Sequence, residues 1–367
     1  MSEKEINING DEPVRLTGKA PLRTRRGFVE GMGALGLAAL LAACGDPTAT
    51  PAAGAQQAAQ AVGQSLTGGK KLKAAFSNAG LGATWCAQGK EVAETWGKWF
   101  GVDVTWYDGG LSVDKQRKAI DDMATKQWDF VAIQPFGIDT LTDPVKQMID
   151  KGIPVIQMDT KMDSQNKLNI TTFLEPDNIY MGSVTSEVLF QKMGGKGKVI
   201  MTQGALGHTG AQGRAKGFKQ TLAKYPNIEL VAEDPADWDV NKVAQLWENY
   251  VVKYKDVAGG FFHNDDMALA AQKIIKNAGR EIPLAGIDAM QPAIEAVGNG
   301  TLLTTVRNPS GRIHWGAMMM GILAATGSKD IPKYILADGP VVTKENSAGL
   351  LFMKTNSSFS FEPVLEG

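Results

Sequence analysis

An α/β fold of two Rossmann-like lobes, each built on a parallel sheet, is what the sequence predicts, and three observations predict it. Short apolar runs alternate with helix-period segments from Leu72 onward, which is the pattern of βαβ units around parallel strands. The runs fall into two successive series. The residues that end them are unusually polar, and in open parallel sheets the carboxyl ends of the strands are where ligands bind.

Ahead of the first run lies a leader. Residues 1–22 are polar and mixed in charge, and Thr24-Arg25-Arg26-Gly27-Phe28 then precedes an uncharged stretch at 31–43. That stretch is too short to span a bilayer, which takes about 20 apolar residues, so the layout predicts a twin-arginine export signal. It closes on Leu41-Ala42-Ala43-Cys44, which resembles a lipobox with Cys44 as the lipidated first residue of the mature chain. Gly31, Gly33 and Gly36 spell a dinucleotide-type fingerprint, but no strand precedes them and the motif is discounted. Residues 44–69 are rich in Ala, Gln, Thr, Gly and Pro with almost no large apolar residue, and the composition predicts a lipidated flexible tether.

The first series predicts strands near 72–77, 102–107, 130–134 and 154–158, with helices near 87–100, 113–126 and 140–151. Four strands make one lobe. The second predicts strands near 198–202, 228–232, 258–262, 284–287 and 302–306, with helices near 178–193, 210–224, 240–253, 266–277 and 291–298. About 300 residues remain after leader and tether, enough for two lobes. Apart from Cys44 the only cysteine is Cys86, so no disulfide is expected within the folded part.

With 38 basic and 39 acidic residues and a net charge of −1, nothing offers the basic face a nucleic acid needs. There are three histidines, His208, His263 and His314. His263-Asn264-Asp265-Asp266 is the only ligand-like cluster, and its spacing matches no metal motif; neither a metal nor a cofactor is expected. The strand ends read Asn78, Gln134-Pro135, Asp159-Thr160, Gln203-Gly204, Asp237-Trp238, His263-Asn264, Asp288 and Arg307-Asn308. Any one also reads as a helix cap. Together the carboxylates, amides, arginine and indoles make a surface that donates to, accepts from and stacks on a polyol.

At these residues the chain resembles the ribose-type periplasmic binding proteins, the type I sugar-binding proteins of ABC importers. The stretches that carry the resemblance are Gly152-Ile153-Pro154-Val155-Ile156-Gln157-Met158-Asp159, Gly210-Ala211-Gln212-Gly213-Arg214-Ala215-Lys216-Gly217-Phe218, Ala236-Asp237-Trp238-Asp239, Asn264-Asp265-Asp266-Met267-Ala268-Leu269 and Gly286-Ile287-Asp288. The resemblance implies a three-crossing hinge, with crossings near 173–176, 308–309 and 339–340. It assigns 70–174 and 309–339 to one lobe and 175–308 and 340–367 to the other, with closure about the hinge burying the ligand. It further implies that Asp159 accepts from sugar hydroxyls, that Arg214 donates to ring or hydroxyl oxygens, and that Asn264, Asp288 and Asn308 supply the opposite lobe. Trp238 takes the stacking position. Where the family carries adjacent phenylalanines this chain has Thr84-Trp85, which puts Trp85 on the facing lobe. Gln134, Trp85, Asp159, Arg214, Trp238, Asn264, Asp288 and Asn308 are therefore the expected ligand-binding set, with no catalytic residue.

Asp159, Asp288 and Arg214 sum to −1, which suits a neutral polyol; Arg307, if it faces the cleft, makes the sum zero. The expected partners are a small sugar or polyol, an ABC permease and the membrane through Cys44, with the protein itself a monomer, exported to the periplasm or cell surface. An enzyme reading finds no nucleophile elbow, phosphate loop or Cys/His pair. A regulator core would need a helix-turn-helix ahead of the lobes. A sensory or chemotaxis subunit would use the same cleft as a transport protein.

Overall fold

The chain winds outward in both directions from one inner strand in each of two parallel sheets, and this winding positions everything that follows. The structure is a computed structural model that describes residues 14–15, 53–337 and 339–352. Cys44 and the leader other than Val14–Arg15 lie outside the described residues.

The first sheet holds β1 (Val14–Arg15), β2 (Leu72–Asn78), β3 (Val102–Asp108), β4 (Phe130–Ile133), β5 (Val155–Met158), β6 (Thr172–Pro176) and β12 (Tyr334–Ala337). They lie in the order β1-β12-β6-β5-β4-β2-β3, every pair parallel. All side chains of β4 and β5 are buried, as expected of parallel strands covered on both faces. On one face pack α2 (Thr84–Phe100) and α10 (Ser310–Ala325). On the other, α3 (Val113–Thr125) and α4 (Thr142–Asp150) close a separate core around Ile120, Met123, Val131 and Met148.

The second sheet runs β10 (Leu284–Ala285), β9 (Val257–Phe262), β7 (Lys196–Gln203), β8 (Asn227–Pro235), again all parallel. Helices α5 (Asn178–Lys192) and α6 (Thr209–Leu222) cover one face, and α7 (Val240–Lys253) and α8 (Asp265–Asn277) the other. The helices begin where short polar side chains cap them: Ser112, Asp177, Asp239 and Asn264 each accept a backbone N–H of the following turn, which satisfies donors the helix leaves orphaned.

The chain leaves the first sheet after β6, comes back through β11 (Thr305–Val306) into α10, and leaves again between β12 and β13 (Val341–Val342). β11 and β13 pair antiparallel. Helices α9 (Gln291–Gly298) and α11 (Lys344–Phe352) pack together beside the second sheet. In both sheets the strand order reverses beside the first strand of the series, between β2 and β4 and between β7 and β9. Those switch points open a crevice at the carboxyl ends.

Three expectations need correction. The flexible tether is wrong over α1 (Ala53–Thr67), a helix packed on α2. Its Ala/Gln composition carries high helix propensity, and Val62 and Leu66, one turn apart, rest on the first-lobe core. The first sheet has seven strands rather than four, because the hinge segments β6 and β12 continue it and β1, from the leader, pairs on the far side of β12. The strand expected at 302–306 is only two residues long and joins β13 instead of the second sheet, touching β10 through the single bridge Ala285 to Thr304.

Candidate functional site

All eight residues expected to bind ligand line one cleft between the lobes: Trp85, Gln134, Asp159, Arg214, Trp238, Asn264, Asp288 and Asn308. The cleft encloses about 390 Å³, its open mouth included. Ala79, Ala83, Cys86, Leu111 and His208 complete the wall. Four of the thirteen lining residues hold left-handed backbone: Leu111 (φ 52°), Asp159 (φ 56°), Trp238 (φ 63°) and Asp288 (φ 115°). Non-glycine residues rarely adopt it, and such strain collects at functional sites.

Asp159 follows β5 and is almost fully buried. Its Oδ2 accepts from Gln134 Nε2 at 2.9 Å and from Thr160 Oγ1 at 3.1 Å. Gln134 is itself fixed, because its Oε1 accepts from the Ala79 amide at 3.2 Å. Among the described residues Oδ1 meets only Asn308 Nδ2, at 3.5 Å, which leaves this oxygen to accept a ligand hydroxyl.

Arg214 is held from every side on α6. Nε donates to Asn178 Oδ1 at 3.0 Å, Nη1 donates to the His263 carbonyl, and Nη2 pairs with Asp288 Oδ1 at 3.2 Å. Gly217 makes this possible: a Cβ there would lie 2.1 Å from the Ile179 carbonyl, so only glycine lets α6 approach α5. Burial pushes the Asp288 carboxyl up to about 7, against the pull of Arg214. The Arg214 guanidinium also sits 5.6 Å from the Trp238 ring centroid, in cation–π range. Gly204 backs that indole, since a Cβ there would fall 2.1 Å from it.

Asn308 stands where β11 gives way to α10. Nδ2 donates to Asp288 Oδ1 at 3.2 Å, while Oδ1 is buried with no partner among the described residues. A buried unpaired acceptor carries a cost of about 1–3 kcal/mol, and its place in the cleft makes it a ready acceptor for a ligand hydroxyl. Its own carbonyl accepts from Trp85 Nε1 at 3.2 Å, which anchors the first-lobe indole to the hinge. Asn264 is both cap and wall: Oδ1 is committed to the Met267 amide at 3.0 Å, leaving its Nδ2 for the cleft.

Other polar strand ends are not part of the wall. Asn78 is buried against His314 and the Cys86 carbonyl, Asp237 pairs with Lys242 at 2.6 Å, and Arg307 donates to the Ala289 carbonyl at 2.6 Å. None of the three lines the cleft. His263 Nδ1 accepts from the Gly204 amide at 3.2 Å, serving the loop under Trp238. Sequence reasoning missed His208, which stands edge-on to Trp238 at 5.3 Å with Nε2 3.5 Å from Asp159 Oδ2. Burial holds its pKa down to about 4, so it adds no charge at neutral pH. Its one signal was position, directly ahead of the Thr209-Gly210 helix start.

Comparison with known proteins gives a consistent picture. Residues 74–329 match the model of the periplasmic binding protein domain. The xylitol-binding protein of Mycolicibacterium smegmatis is 28% identical over 305 residues, covering 80% of this chain and 86% of that protein. The D-allose-binding periplasmic protein of Escherichia coli is 26% identical over 269 residues, 70% of this chain and 86% of that one. Among solved structures, an ABC transporter periplasmic solute-binding protein of Actinobacillus succinogenes with bound D-allose superposes with a TM-score of 0.71 at 23% identity, covering 76% of this chain and all of that one.

Proposed function

Because this chain belongs to the periplasmic binding proteins, in their ribose-type branch, we propose that it captures a neutral sugar or polyol between its lobes and delivers it to an ABC importer. The observation that carries this reading is the polar rim around Asn308. Carboxylate oxygens from both lobes, Asp159 Oδ1 and Asp288 Oδ1, lie within 3.5 Å of one amide whose own oxygen is unpaired. Such a rim takes hydrogen from some hydroxyls and gives it to others, which is what a polyol presents. Trp85 and Trp238 supply apolar area for the C–H faces of the same molecule. With Arg307 turned to Ala289 and His208 neutral, the charged wall groups sum to −1 at most, which favours a neutral ligand over a sugar acid.

In this reading Gln134 orients Asp159, Arg214 orients Asp288, and Asn264 contributes an amide N–H. The lobes comprise 70–174 with 309–339 and 175–308 with 340–367, and they rotate about the three crossings to enclose the ligand. Export through the leader, lipid on Cys44 as the membrane anchor, a monomeric state and docking on a permease complete the proposal. The names of the relatives make xylitol and allose the first compounds to try. A thermal-shift screen against neutral sugars, polyols and sugar acids tests it: a neutral polyol or monosaccharide should raise the melting temperature most, and stabilisation by sugar acids alone would refute it.

A further inference from the structure

The first turn of α2 has no cap of its own: Ala83 stands at the N-cap and offers no side-chain acceptor. The acceptor comes from the other lobe. Asp266, in the first turn of α8, takes the Thr84 amide on Oδ2 at 2.9 Å, and the Thr84 hydroxyl reaches Oδ1 at 3.0 Å and Oδ2 at 3.1 Å. A carboxylate facing a helix N-terminus also meets the positive end of its dipole. Neither residue lines the ligand cleft.

Further hydrogen bonds cross between the lobes: the Ile138 amide donates to the Gly207 carbonyl at 2.9 Å, the Lys161 amide to Thr209 Oγ1 at 2.9 Å, and Thr160 Oγ1 meets His208 Nε2 at 2.6 Å. These inter-lobe bonds start from the chain segments after β4 and β5 and from the start of α2. At α2 the acceptor is a carboxylate that lies outside the cleft wall.

We propose that Asp266 is a positioning residue for ligand capture: by capping α2 from the opposite lobe it latches the closed form, and it slows ligand release without reading the ligand. The inference rests on the sugar-binding reading above and extends it to residues outside the pocket. Its physical basis is a difference between states. In the closed form the Thr84 donors and the carboxylate satisfy one another. With the lobes apart, both return to water, so the bond biases closure while adding little to the fold of either lobe.

The experiment compares Asp266→Ala, Asp266→Asn and Thr84→Val in stopped-flow binding of xylitol, D-ribose and D-allose. Asp266→Ala should raise the dissociation rate about tenfold, roughly 1.4 kcal/mol, for every compound that binds, leaving association rates and the ratios between compounds within about twofold. Asp266→Asn keeps one acceptor for the Thr84 amide but loses the charge, and it should fall between wild type and Asp266→Ala, as should Thr84→Val. The melting temperature of the empty Asp266→Ala protein should match wild type. A wild-type dissociation rate in Asp266→Ala, an equal loss in Asp266→Asn, or a destabilised empty protein would each overturn the latch. If wild type binds none of the three compounds, the sugar reading fails by itself. Spin labels on the two lobes of the ligand-free protein then decide the latch: a smaller closed population in Asp266→Ala supports it, and an unchanged one rejects it.

Discussion

Asn308 Nδ2 lies 3.2 Å from Asp288 Oδ1 and 3.5 Å from Asp159 Oδ1, so one hinge amide addresses a carboxylate from each lobe. Replacing it with a third acid should be worse than removing it. Asn308→Asp puts a charge beside two others in a buried site, where like charges resist ionising together. Its binding of a neutral polyol should fall at least about tenfold more than that of Asn308→Ala at pH 8, with the gap narrowing at pH 5 as protons restore neutrality. Calorimetric titration at the two pH values checks this.

Trp238 and Asp159 should fail differently when truncated. Trp238→Ala removes apolar contact shared by all sugars and should weaken every ligand by about 2 kcal/mol or more, with selectivity kept. Asp159→Ala leaves one ligand hydroxyl without its acceptor, costing about 1–3 kcal/mol for the ligand that uses it, so selectivity should drop. Titration of both variants with the best ligand and one epimer separates the outcomes. An intact affinity with a destabilised empty protein would make Trp238 a core residue.

Asp288 gives a pH signature with a definite sign. Burial raises its pKa from 3.8 to about 7 in the folded protein, while Arg214 pulls the other way. A raised folded value contributes stability that is complete below about 3.8 and is lost as pH rises through about 7. Asp288→Asn removes that dependence, although it leaves Arg214 without its partner as a constant penalty. The stability difference between wild type and Asp288→Asn should therefore move against wild type by a few kcal/mol between pH 4 and 8. Urea denaturation at pH 4, 6 and 8 measures it, and a flat difference would show that Asp288 titrates as an exposed carboxyl.

Export is tested on the leader itself. Cys44→Ala removes the lipid acceptor, and Arg25→Lys with Arg26→Lys removes the paired arginines. The first should release the protein from the membrane fraction and the second should retain unprocessed chain in the cytoplasm, with ligand affinity of the purified lobes unchanged in both. Membrane-bound Cys44→Ala protein would contradict the lipoprotein assignment.

The site was legible in the sequence because its chemistry sits at strand ends, and strand ends are marked by the change from apolar runs to polar residues. Gln134 and Asp159 follow β4 and β5 directly, and Asn264 and Asp288 come within three residues of the ends of β9 and β10. What was not legible depends on contacts made far along the chain. The α1 helix reads as a low-complexity tether until Val62 and Leu66 find the core. β6 joins the sheet by pairing with β5 on one side and with β12, some 160 residues on, on the other, Tyr334 against Phe173 and Leu336 against Glu175. Asp266 reads as an ordinary first-turn acid of its own helix, and its bond to Thr84 spans 182 residues. Nor does sequence tell which way Arg307 turns, since its partner is a carbonyl of the Ala289 backbone.

The central claim is that one small neutral molecule is held by both lobes at once. The direct test is small-angle scattering of the protein titrated with whichever neutral polyol or monosaccharide binds in the thermal-shift screen, run beside calorimetry on the same samples. The account predicts one ligand per chain and a radius of gyration that falls as the sites fill. Saturation at one ligand per chain with an unchanged radius of gyration would contradict it.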